Sequence, residues 1–168
     1  MKNEKLQGFI HGFIMSYAMA VGMELYNRAY SMDFHMQSGG LSSMTNEIFL
    51  PALAETALMG IIVMIVSRLY GNRLGAAFAA RHCPEEHENP YFYRLLRQAG
   101  TVAVMCPSMS LVASVVFSVL LDSRAWIDLP AIWLGTVFKN FPMAFFWNFF
   151  AAAPFTHWLC GRLFPSES

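Results

Sequence analysis

The sequence predicts an all-α membrane protein with four transmembrane helices, arranged as two helical hairpins that repeat in parallel. Three observations carry this. Hydrophobic residues make up 56% of the chain and charged residues 13%, against about 25% charged in ordinary soluble domains; polar surface is short for a globule in water. The apolar residues gather into four segments, each near the roughly 20 residues that span a hydrocarbon core. The letters also partly match themselves about ninety residues apart. Met15-Ser16-Tyr17-Ala18-Met19 falls on Met105-Cys106-Pro107-Ser108-Met109, Pro51 falls within one position of Pro142, and Gly71-Asn72-Arg73-Leu74 falls on Gly161-Arg162-Leu163.

The first helix is expected over residues 7–28, interrupted only by His11 and Glu24. Lys2 and Lys5 followed by Ala18-Met19-Ala20 resemble a signal peptide, but the segment recurs in mid-chain, so it is read as a retained helix. Gly8, Gly12, Ser16 and Ala20 recur every four residues. Such a stripe of small side chains lets helices approach closely in lipid. Tyr26 and Tyr30 stand where an aromatic belt is expected.

A polar loop with Ser38-Gly39-Gly40 leads to the second helix, 48–68, which extends as 72–81 beyond the membrane. Pro51 sits in its first turn, where a missing N–H costs little. Residues 82–90 read as a solvated turn and 91–97 as an amphipathic lead-in. The third helix, 98–121, carries no charge, and Pro107 is expected to kink it. The fourth begins either near Ala131, with Lys139 inside it, or at Asn140, and Pro154 bends it again. The expected organisation is a first hairpin at 1–81, a connection at 82–97 and a second hairpin at 98–168.

Basic residues cluster at the start (Lys2, Lys5), in the central connection (Arg68, Arg73, Arg81, Arg94, Arg97) and after the last helix (Arg162). The positive-inside bias therefore puts both termini and the connection in the cytoplasm. Zero net charge and no basic aromatic patch give no sign of a nucleic-acid partner. The expected partners are the lipid bilayer and a second copy of the chain.

The runs Gly12-Phe13-Ile14-Met15-Ser16 and Gly22-Met23-Glu24-Leu25-Tyr26-Asn27 resemble the first helix of an uncharacterised bacterial membrane-protein family, catalogued as a domain of unknown function. Val104 to Ser110 and Asn140-Phe141-Pro142-Met143-Ala144 resemble its second unit. The resemblance implies four helices in the cytoplasmic membrane and no particular activity. A weaker likeness is to the proteobacterial antimicrobial compound efflux transporters, also tandem two-helix pairs. Glu24 stands for the glutamate of their first helix, while their Trp-Asn pattern has no counterpart between Ile48 and Arg68.

Ionisable groups inside membrane helices are costly and are functional candidates by default. Glu24, Glu55 and Lys139 qualify, all in the outer half, with Asn140 and Asn148 as polar neighbours. The functional reading is a substrate or proton site in a small proton-coupled transporter. The alternative is a non-transporting accessory or interaction protein whose buried charges fix helix register. Lys139 is placed to pair with either glutamate, and Arg28 is placed to pair with Glu24 one turn away.

His11 and His157 lie at matching depths, as a joint metal or haem pair would. Interface histidines more commonly hydrogen-bond to loops or lipid, and no cofactor or metal is expected. Met32, His35, Met36 and Met44, and the Met105–Met109 run, suggest copper chemistry, but Met is also a common filler of helix contacts. Cys83, Cys106 and Cys160 are too widely spaced for a disulfide framework or zinc site. No Ser-His-Asp set, phosphate-cradling loop or paired acids point to an enzyme.

Overall fold

In the computed structural model the backbone is described for residues 2–83, 90–123 and 125–164, and side chains from Lys5 onward. The expected turn at 84–89 and Arg124 lie outside the described residues. The fold is all-helical, in four long runs. Helix α1 spans Lys2–Ser31. Helix α2 (Phe49–Val66) continues through a π-turn at Ser67–Gly71 into α3 (Asn72–His82). Helix α4 (Pro90–Ala113) ends in a π-segment, Ser114–Leu121. Helix α5 (Leu129–Trp147) passes through a π-turn at Asn148–Ala152 into α6 (Ala153–Leu163).

Three runs are long and apolar enough to cross a membrane: Lys5–Ser31, Asn46–His82 and Pro90–Leu121. The fourth is long enough but, against expectation, is not among them. Lys139, Asn140, Asn148 and His157 break its apolar character. Since α5 starts at Leu129, Lys139 lies within the helix, which settles the open starting point. Pro107 sits inside continuous α4, while Pro154 lies just after the π-turn, where the helical hydrogen-bond ladder is already irregular.

In the three apolar windows only 17%, 28% and 22% of residues are buried inside the protein. Leu50, Phe138 and Phe150 are among many large apolar side chains left exposed. Exposed apolar surface on this scale marks contact with another apolar medium.

The chain forms two compact units, Met1–Met64 with Phe149–Ser168, and Ile65–Asn148. In the first, α1 packs on α6. The Tyr17 ring lies over Gly60 and its hydroxyl donates to the Ala57 carbonyl at 3.5 Å. The loop after α1 turns through three consecutive left-handed residues, Asp33, Phe34 and His35. Each costs roughly 1–2 kcal/mol. Ser42 Oγ donating to Phe34 O at 2.6 Å and Ser43 Oγ to His35 O at 3.0 Å help hold the turn. Gly39 and Gly40, at φ 111° and 80°, supply the reversal that brings those serines back.

In the second unit, α3 packs on α4 at glycines. A Cβ at Gly75 would meet Thr101 Oγ1 and lie 2.9 Å from the Arg97 carbonyl and the Thr101 amide. One at Gly71 would meet the Met105 sulfur, and one at Gly100 would lie 2.9 Å from Phe78 Cβ. Helix α5 joins α4 through Trp133 Nε1 donating to Pro107 O at 2.9 Å. Of the small-residue stripe expected on α1, Ser16 and Ala20 are buried, whereas Gly8 and Gly12 have open space where a Cβ would go. The close approaches are at Gly60, Gly71, Gly75 and Gly100.

Gly75→Val should therefore lower thermal stability in detergent by several degrees, because backbone atoms of α4 cannot yield. Gly12→Val should leave it nearly unchanged. Equal effects of the two substitutions would contradict this packing.

Candidate functional site

The C-terminal end of α1 concentrates polar chemistry. Ser16, Ala20 and Glu24 are all buried, each one helical turn from the next, and Glu24 is only 5% exposed. A carboxyl group removed from water to that degree must be neutralised by a proton or balanced by a partner.

One turn further, Arg28 Nη2 donates to Glu55 Oε1 at 2.8 Å, tying α1 to α2 across the loop. Both side chains keep partial exposure, 37% and 27%, so the pair does not bear the full cost of dry burial. Arg28 carries its ion pair between helices, not only along its own helix as the i,i+4 spacing to Glu24 suggests. Arg28 Nε and Asn27 Oδ1 are buried and find no protein hydrogen-bond partner among the described residues. Tyr26, Tyr30 and Phe34 form a cluster of tilted and edge-to-face rings, with centroids 5.9–6.2 Å apart.

Of the sequence-derived candidates, Glu24 and Glu55 fall in the first compact unit, with Glu55 held by Arg28. Lys139, Asn140 and Asn148 fall in the second. Lys139 is half-buried, Asn140 and Asn148 are 5% and 4% exposed, and Asn140 Oδ1 has no hydrogen-bond partner there. The sequence reading missed Asn27, which only the packing marks out. It also missed the pairing of Arg28 with Glu55, for which spacing along the chain gives no signal.

The same α4–α5 seam holds a run of hydroxyls. Ser114 Oγ donates to Ser110 O at 2.7 Å and approaches Thr136 Oγ1 at 3.4 Å. Ser110 is 2% exposed. Among the described residues no group of three or more His, Cys, Asp or Glu is placed to hold a metal ion. The three cysteines are free thiols, Cys106 buried and the others half-buried.

The family described as "Domain of unknown function (DUF2798)" matches residues 94–164. This covers the runs at 104–110 and 140–144 that carry the resemblance, but not the one in α1. Neither curated proteins nor solved structures give a match, and the efflux-transporter likeness gains no support.

A double-mutant cycle on Arg28→Ala and Glu55→Ala, read by thermal or denaturant unfolding in micelles, should give a favourable coupling of about 0.5–3 kcal/mol. Additive single effects would show the pair to be energetically idle.

Proposed function

We propose that this chain is a small proton-coupled transporter of a bacterial cytoplasmic membrane, exporting a cationic or amphipathic compound. The observation that carries this reading is the burial of Glu24 within an apolar helix. A carboxyl group there changes the local charge when it exchanges a proton for a cation, and loss of solvation makes that exchange energetically large. Arg28 and Glu55 frame its outer side, with Asn27 and the aromatic rings of Tyr26, Tyr30 and Phe34 offering a surface for a lipophilic cation. Lys139, Asn140 and Asn148 are the candidate polar lining on the second compact unit.

In this reading all four helical runs cross the bilayer, with both termini and the central connection cytoplasmic. The two halves are a parallel internal duplication, and the functional unit is a homodimer. The burial pattern supports the duplication. Ser16, Ala20, Glu24 and Ala29 are buried on α1, and ninety residues on so are Cys106, Ser110, Ser114 and Val119. Ile48, Ala52, Thr56 and Gly60 are buried on α2, and ninety-two residues on so are Asn140, Ala144, Asn148 and Ala152. Two such registers at nearly one offset are what parallel repeats produce.

The Arg28–Glu55 ion pair favours a second reading, in which the buried charges fix helix register in a non-transporting accessory or interaction protein. Flux in proteoliposomes separates the two. With an imposed pH gradient and tetraphenylphosphonium as probe, the parent should show gradient-dependent flux. Glu24→Gln should abolish it while eluting and melting as the parent does. No flux from the parent across a panel of lipophilic cations, or collapse of the fold in Glu24→Gln, would favour the structural reading.

A further inference from the structure

We propose that Phe155, Trp158 and Arg162, in line on α6, form a binding site for one anionic phospholipid. The three stand at i, i+3 and i+7, which is one stripe of helix surface. Helix α6 buries Ala153 and Thr156, whereas Phe155 and Trp158 are 49% and 58% exposed and Arg162 is exposed beyond them. The three side chains also touch in sequence. The rings of Phe155 and Trp158 have centroids 6.2 Å apart and planes at 32°, and the Arg162 guanidinium carbon lies 5.5 Å from the Trp158 ring centroid. Along the stripe the surface passes from hydrocarbon to amphipathic indole to fixed cation within about 10 Å of helix rise.

A phospholipid carries its parts in the same order. An acyl chain suits Phe155, the glycerol esters meet Trp158, and the phosphate reaches Arg162. Tryptophan favours the headgroup level because its ring is apolar while its N–H needs an acceptor. A cation over the indole face is attracted by the ring quadrupole. Held there, the guanidinium keeps N–H donors for a bidentate contact with a phosphate. Among the described residues no carboxylate pairs with Arg162. At Gly161, its neighbour in the chain, a Cβ would meet nothing within 4 Å, so a headgroup has room beside the arginine.

The helix end decides how much depends on Arg162. Helix α6 finishes at Leu163, and its last carbonyls place about half a negative elementary charge there. That end by itself disfavours an anion; one guanidinium turns the local balance positive. In the proposed orientation it lies at the cytoplasmic leaflet, where anionic lipids are found. The inference rests on the fourth run meeting the bilayer, as proposed above, and not on Glu24 or on transport.

The test is fluorine NMR on protein labelled with fluorotryptophan, the Trp158 signal being assigned by its loss in Trp158→Phe. The labelled protein in micelles is titrated with phosphatidylglycerol or with phosphatidylcholine of the same acyl chains. The Trp158 signal should saturate at an at least about fivefold lower concentration of phosphatidylglycerol, the worth of one basic residue at an anionic surface. Arg162→Gln should abolish this preference and Arg162→Glu should reverse it, both variants melting as the parent does. Arg97→Gln, at an exposed arginine of the other compact unit, should leave it unchanged. Equal responses to the two lipids, a preference that survives Arg162→Gln, its loss in Arg97→Gln, or saturation by inorganic phosphate alone would overturn the site. No response to either lipid would overturn it together with the membrane placement of the fourth run.

Discussion

Lipid offers no hydrogen bonds, so a chain crossing it must satisfy its polar groups from within. Several hydroxyl side chains of this protein follow that constraint. Thr56, Thr101, Ser108, Ser114, Thr136 and Thr156 each turn their hydroxyl back onto the carbonyl four residues earlier, at 2.7–2.8 Å. His157 does the same with its ring. The hydroxyls thereby become part of helix surfaces that pack by shape, and small buried residues such as Ala52, Ala79 and Ala153 complete those surfaces. The outward surface is left to Leu, Ile and Phe.

Against that background the charged groups stand out. Arg28 and Glu55 meet at the rim, where partial exposure lowers the cost of keeping both ionised. Glu24 lies one turn deeper on α1, with much less solvent. This gradient along a single helix, from a half-exposed ion pair to a buried carboxyl group, gives the C-terminal end of α1 its character. A structural pin requires only the first; a proton-exchanging site also requires the second.

Much of this was legible in the letters because hydropathy reports one quantity, how apolar each stretch of chain is. Helix positions, the loop with its two glycines, and the matching depth of His11 and His157 all follow from it. Hydropathy does not report which way a side chain faces around its helix. The Gly8–Gly12 stripe looked like a contact yet faces open space, whereas Gly71 and Gly75 make the contact from a stretch where Asn72 and Arg73 suggested an exit into water. The spacing from Glu24 to Arg28 suggested a local pair, and the link to Glu55 depends on how two helices are rotated. Lys139 and Asn140 before Pro142 left two helix starts open, near Ala131 or at Asn140; α5 begins at Leu129 and accommodates all three. The fourth run is also less apolar than its aromatic richness suggested, because two amides and a lysine offset its phenylalanines.

The central claim is that lipid, not water, surrounds the exposed apolar faces of all four helical runs. Nitroxide labels at Phe13, Leu58, Leu111 and Phe146, one per run, test it in liposomes by collision with oxygen and with a water-soluble nickel chelate. Each of these positions is exposed on the protein. The account predicts that oxygen, which partitions into hydrocarbon, relaxes all four labels more strongly than the chelate does. Stronger relaxation by the chelate at any of the first three would contradict it, and the same result at Phe146 alone would remove the fourth run from the membrane.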